Sequence, residues 1–388
     1  ICGRHLNDQG VALVSYNAYP GCHLRQMVRG IAQFHLRDIN EPEEQVEQLH
    51  ALLRFLGDSL GDEYKGYRQI LQSESERLAK LSDAFLFHDV LEPTNLPVYF
   101  HQFIDQAARH GLQYLAEALP SAPERSGLAA TVRDELGPSH DLIESEQHLD
   151  FLEGTSFRRT LVCRDSIRLN RDVQQSPLER LLVASQARPV SAAPDLESDR
   201  PEEFAARKGP LAAALRCDSP IGKSALVALA EAYPRAVPFN SIAAIAAQRL
   251  GRSATARDEG EIRALIVAGF EVGAIELHTW QPQLADGTSA CPEASPVARY
   301  EAARGTEATT LWHERLMLSN PASRHLLVGL DGRRDRQAIV AHLTSAILAD
   351  QIGQPAGAMS SKSEVRAEVA QQLDGAISDL ARAAVLIS

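Results

Sequence analysis

The sequence predicts an α/β fold joined to a mostly α-helical part, and three observations carry this. Val11–Tyr16 is a short, mostly apolar run with turn chemistry ahead of it in Asn7-Asp8-Gln9-Gly10 and Pro20-Gly21 behind it. VYFHQFIDQAARHGLQYLAEAL reads as a helix, one capping glycine (Gly111) and a strand, which is an α–β unit. Beyond residue 200, three helices run into a single β element.

Taken in order, residues 1–10 read as a helix end and a turn. Residues 11–16 read as a strand apolar enough to be buried on both faces. Helical spacing follows over 22–37, 43–57 and 63–81, with Leu49, Leu52, Leu53 and Leu56 as one stripe. Residues 98–110 are expected as a helix with Phe100, Phe103, Ile104, Ala107 and Ala108 inward, and 112–118 as the strand after it. Helices near 124–136 and 140–152 precede a strand at 157–164.

Residues 171–200 are rich in Pro, Ser, Ala and charge, which reads as a linker. Helices opened by Pro220, Pro238 and Asp258, then VGAIELHTW, make a winged-helix-like domain of 201–281. Residues 282–388 read as a mainly helical domain: a Pro/Gly/Ala/Thr-rich loop to 308, a helical pair over 320–349, a break at 353–362 and an amphipathic helix at 363–385.

Length and charge exclude several classes. The chain has 388 residues, a prior of two to three domains at ~150 residues each. Its net charge is −12 and aromatics are 5%, so it is a poor ligand for nucleic acid or anionic lipid. Five scattered cysteines without a CxxC pair argue against a disulfide framework or zinc knuckle and for reduced, cytoplasmic thiols. No run of 18 apolar residues is present, so no membrane span is expected. The chain begins with Ile1 rather than Met, which reads as a piece of something longer.

The motifs are modest. Gly222-Lys223-Ser224 lacks the earlier glycine of a phosphate-binding loop, because position 217 is Cys; it reads as a helix first turn with a solvated Lys223. The third helix of the winged-helix-like block begins Asp258-Glu259-Gly260-Glu261, where a groove-reading helix would meet phosphates, so a protein contact fits better than DNA. No histidine pair has metal-ligand spacing, and no metal is expected. His88 and His101, near the turn Glu92–Pro97, are weak cleft candidates. Stronger ones are Tyr16, Asn17 and Tyr19 in SYNAYPG, because ligands of open α/β sheets bind at strand carboxyl ends.

Three stretches, GVALVSYNAYPGCHLRQMVR, LFHDVLEPTNLPVYFHQFIDQAARHGLQYLAEAL and DLIESEQHLDFLEGTSFRRTLVCR, together resemble the class I S-adenosylmethionine-dependent methyltransferases that carry a methyltransferase regulatory domain. Protein-lysine methyltransferases of rickettsial type are in that group. SPVARYEAARG and LWHERLMLSNPASRHLLVGLDGRRDRQAIVAHL resemble its C-terminal region.

The resemblance implies the distal half of a Rossmann-like methyltransferase sheet in 1–170: residues 11–16, 112–118 and 157–164 would be its fifth, sixth and seventh strands, with a helical regulatory insertion at about 40–96. Winged-helix-like α+β modules would follow. The Gly-rich donor loop of such enzymes has no counterpart here. No cofactor-binding residue is therefore expected in this chain, and S-adenosylmethionine is expected only for the complete enzyme. The implied role is regulation, recognition of a protein substrate or homodimerisation, beside a missing N-terminal catalytic half. Acceptor deprotonation would fall to Tyr16 or Tyr19. The alternative is a non-enzymatic interaction scaffold.

Overall fold

The computed structural model describes residues 1–81, 83–92, 94–118, 128, 131, 132, 135, 141–171, 177–205, 214–349 and 361–388. Pro93 of the expected turn, most of the helix expected near 124–136 and residues 353–360 of the expected break lie outside them. The chain divides into two compact units, Ile1–Arg171 and Asp172–Ser388.

In the first unit, α1 (Cys2–His5) leads to β1 (Val11–Tyr19). Then come α2 (Cys22–Leu36), α3 (Pro42–Ser59), α4 (Lys65–Leu78) and α5 (Asp83–Leu86), continued by a π-helical turn over Phe87–Leu91. Val28, Ala32 and Leu36 of α2 meet Leu49 and Leu53 of α3, Leu71 and Leu78 of α4, and Leu86 in one apolar cluster. Helical spacing in the sequence becomes packing here, because residues three and four apart share a face.

The α–β unit follows as β2 (Val98–Tyr99), α6 (Phe100–Ala108) and β3 (Leu112–Glu117), then α7 (Leu142–Glu153) and β4 (Phe157–Arg164). Helix α7 stops at Gly154, whose φ of 62° is easy only without a Cβ. The four strands form one sheet in the order β2-β1-β4-β3. Strand β4 is antiparallel to both neighbours, and β1 is parallel to β2 through Ala18↔Val98 and Tyr19↔Tyr99. The three expected strands therefore lie side by side, although β4 comes last in the chain.

Two expectations for β1 are corrected. It runs on to Tyr19, because Ser156 O accepts from Ala18 N at 3.0 Å and β2 pairs with its end. Nor is it buried on both faces: Val11 and Leu13 are 52% and 56% exposed, because only the Ala12–Val14–Tyr16 face is covered by helix.

In the second unit, β5 (Leu182–Ala184) is the middle strand between β9 (Val237–Pro238) and β10 (Glu276–His278). β6 (Arg188–Pro189), β7 (Glu202–Ala205) and β8 (Ala214–Cys217) form a second sheet. Around them stand α8 (Pro220–Ala232), α9 (Phe239–Arg249) and α10 (Ala256–Glu271). The expected linker at 171–200 is corrected: Leu178, Val183 and Ala187 are at most 1% exposed and join this core. Pro and Ser describe the irregular backbone of that stretch, but Leu178, Val183, Ala184 and Ala187 are strand or core.

The rest comprises α11 (Pro296–Ala302), a hairpin of β11 (Glu307–Thr309) and β12 (Arg315–Met317), then α12 (Pro321–Gly329), α13 (Arg336–Leu348) and α14 (Lys362–Arg382). Ala298, Leu326, Leu330, Ile339, Leu343, Val369 and Ile377 form its core. Both α11 and the hairpin fall partly in what composition alone makes a loop. No helix is long and apolar enough to cross a membrane among the described residues.

Candidate functional site

The end of β1 separates its polar residues by strand alternation. Tyr16 points to the covered face, stacks on Phe103 at 4.3 Å and places its hydroxyl 3.2 Å from Thr160 Oγ1. Thr160 donates onward to Glu117 Oε1 at 2.8 Å. Glu117 Oε1 also accepts from Arg158 Nη1 at 2.7 Å, while Asp150 takes Arg158 Nε at 2.9 Å and Glu146 Oε2 takes Nη2 at 3.1 Å. The guanidinium lies 3.9 Å above the Phe100 ring. Burial pushes the Tyr16 phenol well above the usual tyrosine range, outweighing the Thr160 hydrogen bond and the nearby Arg158 charge. Tyr16 closes a buried polar network and is poorly placed to take a proton from an acceptor. Tyr16→Phe is expected to cost about 0.5–1.5 kcal/mol of stability in urea unfolding, the worth of one hydrogen bond. A loss above about 3 kcal/mol would show that the hydroxyl holds more than Thr160.

Asn17 turns elsewhere. Its Nδ2 donates to Asn95 Oδ1 at 3.0 Å, and Gln26 Nε2 reaches Asn95 O at 3.3 Å. Buried Arg29 donates to Val90 O at 2.6 Å and to Glu92 O. These bonds tie Val90, Glu92 and Asn95 to β1 and α2. His88 sits in the π-helical turn, but its side chain lies outside the described ones.

Tyr19 opens a surface group of rings. It stacks on His23 at 4.1 Å and lies 5.3 Å from Tyr99, its neighbour across the parallel pairing. His23 Nε2 and Tyr99 Oη are 3.1 Å apart. Tyr99 is 5.7 Å from the His101 ring and 6.1 Å from Phe151, and Phe151 is 5.9 Å from His148. Of the candidates read from sequence, Tyr19 and His101 thus come together, while Tyr16 and Asn17 go to other surroundings. Sequence reading missed His23, Tyr99, Gln147 and Phe151. Only pairing β2 to the end of β1 would have brought Tyr99 to notice.

The strand-to-helix turn after β1 is where a glycine could admit S-adenosylmethionine against a helix start. A Cβ on Gly21 would lie 2.1 Å from Gly154 O and 2.8 Å from Ser156, and Gly21 N donates to Thr155 O at 3.0 Å. The chain's own 154–156 loop fills that space, so this turn does not fit the cofactor.

In the second unit, Lys223 is corrected from solvated to wholly buried. Its Nζ donates to the carbonyls of Asp195 and Ser198 at 2.6 Å and of Arg200 at 3.0 Å. Those bonds leave no proton on it for a phosphate. At the start of α10, Asp258 caps through Thr255 and takes both Arg252 nitrogens at 2.7 and 2.8 Å. The Arg252 guanidinium holds the Asp258 carboxyl well below its usual range.

Residues 82–164 match the family model of a predicted methyltransferase regulatory domain, and residues 291–385 match that of the PKMT C-terminal winged helix domain. Over these segments the chain is therefore similar to methyltransferases that carry a regulatory domain. More particularly, the solved structure of PKMT2 from Rickettsia typhi shares the fold, with a TM-score of 0.79 at 22% identity over 99% of this chain and 76% of that one. The same protein in complex with AdoHcy gives a TM-score of 0.78 at 22% identity, covering 100% of this chain and 76% of that one. Uncharacterized protein RP789 of Rickettsia prowazekii (strain Madrid E) is 26% identical over 348 residues, 88% of this chain and 62% of that protein. Uncharacterized protein RP028 of the same organism is 30% identical over 115 residues, 30% of this chain and 46% of that protein. The chain thus spans less than two thirds of both curated relatives. The regulatory match begins at 82 and takes in β2, α6, β3, α7 and β4, so it overlaps only the end of the expected insertion at 40–96.

Proposed function

We propose that this chain is the regulatory and acceptor-recognising part of an S-adenosylmethionine-dependent protein-lysine methyltransferase, with the methyl donor held by residues outside it. The match of residues 82–164 to a methyltransferase regulatory domain carries this reading. The sheet supports it. Along 11–17, the edge of β1 opposite β4 has no partner strand among the described residues. The face bearing Val11, Leu13 and Phe157 is about half exposed. Such an edge and face call for more sheet and a covering helix, as expected of the distal half of a Rossmann-like methyltransferase sheet. The AdoHcy complex of the solved relative favours S-adenosylmethionine as donor. A net charge of −12 favours basic acceptor segments. Within this assembly, Tyr19 and its ring neighbours would face the acceptor.

When bound elsewhere in the enzyme, the donor supplies an electrophilic methyl group. These residues would receive the acceptor side chain, orient it and shed water around it. Calorimetry should show no saturable binding of S-adenosylmethionine to the 388-residue chain. The full-length gene product should bind it and transfer tritiated methyl to a lysine-rich protein. A micromolar site in the chain alone would overturn the placement of the donor, and absence of transfer by the full-length product would overturn the activity.

A further inference from the structure

A buried amide holds one imidazole in a single protonation pattern at the edge of the ring group. Gln147 on α7 is 5% exposed. Its Oε1 accepts from the His101 backbone N–H at 3.2 Å and lies 2.9 Å from His101 Nδ1. A backbone N–H only donates, so the amide atom facing it is oxygen. An oxygen has no proton to give, so Nδ1 carries one. A neutral imidazole has one ring proton, which leaves a lone pair on Nε2. The His101 side chain is exposed beside Tyr99. Among the described residues, the other end of the amide, Gln147 Nε2, is buried without a hydrogen bond. Such an orphan donor is unfavourable and calls for an explanation, and holding His101 supplies one.

We propose that His101 Nε2 accepts the proton of a primary ammonium seated on the rings of Tyr19, Tyr99 and Phe151, with Gln147 as the positioning residue. The inference rests on the acceptor-side reading above and deepens it. A ring face attracts an alkylammonium through its quadrupole, and two tyrosines 5.3 Å apart with Phe151 beside them offer such a surface. In the step, one N–H bond of the ammonium breaks and its electron pair stays on nitrogen. The proton bonds to Nε2, leaving a neutral amine and an imidazolium whose Nδ1–H still donates to Gln147. The amine is then the nucleophile that a methyl acceptor has to be.

The pair is tested by nitrogen NMR of the histidine-labelled 388-residue chain, with the His101 signals assigned through His101→Gln. The wild-type ring should show the Nδ1–H tautomer, and Gln147→Leu should move it toward Nε2–H. A wild-type ring in the Nε2–H form, or a spectrum that Gln147→Leu leaves unmoved, would overturn the positioning. Titration with Nα-acetyl-lysine-methylamide should shift the His101 and Tyr99 signals, and Tyr99→Leu should weaken that binding about threefold or more. The norleucine analogue, which lacks the amine, should not bind; equal binding of both probes would sink the ammonium seat. In the full-length product, His101→Gln should slow methyl transfer about 10²-fold. Transfer at the wild-type rate would remove the proton-accepting role and leave the acceptor-side reading standing. A wild-type product that binds the lysine probe yet transfers no methyl would sink that reading and leave the amine seat.

Discussion

Arg158→Met is expected to lower the unfolding free energy of the first unit by about 3–5 kcal/mol. Arg158 is 3% exposed and Asp150 0%, and three carboxylates converge on the one guanidinium. Methionine fills much of the space above Phe100 but takes the guanidinium away from Asp150, Glu146 and Glu117, which converge on it. An uncompensated buried charge is the costly outcome, more than the worth of the intact pair. Adding Asp150→Asn and Glu117→Gln should therefore return much of the loss. Far-UV circular dichroism in urea reads both variants, and a loss below about 1 kcal/mol would mean that water reaches the carboxylates. Burial alone would lower the pKa of Arg158, but its bond to Asp150 and the charges around it raise it overall above the usual arginine value. A raised folded value gives stability that is complete below the unfolded value and lost only as pH rises through the folded one. Both lie far above neutrality, so this contribution is constant across the working range.

Lys223→Met is expected to cost about 2–4 kcal/mol in the second unit, because three backbone carbonyls lose their donor at once. Trp280 and Trp312 are the two tryptophans of the chain and both lie in that unit, so tryptophan fluorescence in urea reads the change. ATP should leave the wild-type transition where it is; stabilisation by ATP would return this segment to phosphate binding. Hydrogen bonds from Ser198 hold the Asp195 carboxyl down to about 2. A depressed folded value gives stability present above the usual carboxylate range and lost as pH falls toward 2. The 195–200 loop should therefore loosen in acid in the wild type, and at milder acidity in Lys223→Met.

The helices were the legible part. Leu49 and Leu53, the glycine after α6 and the prolines opening α8 and α12 announce themselves within one or two turns of chain, whereas α11 was read as loop. Strand β1 was legible at its apolar start and misread at its end, because Asn17-Ala18-Tyr19 looks like a turn until Ser156 and β2 supply its partners. Composition misled at 178–189, where Leu178, Leu181, Leu182, Val183, Ala184 and Ala187 among polar residues suffice to build a strand and part of a core. Tyr19 and His101 were candidates read from the sequence, and the structure brings them into one ring group. Gln147 and Phe151 were not candidates, since both look like ordinary positions of an amphipathic helix.

The amino-acid sequence alone determined most of the described helical segments, the three main strands of the first unit and the acidic charge, because periodicity, caps and net charge are local or additive. Only the tertiary structure decided that Tyr16 joins the Thr160 network while Tyr19 joins the ring group, that Lys223 is enclosed by carbonyls, and which nitrogen of His101 faces Gln147. Those outcomes depend on which groups distant in the chain come within 3 Å of one another. Hydrogen bonding and desolvation act over that distance and leave no mark on the spacing of residues.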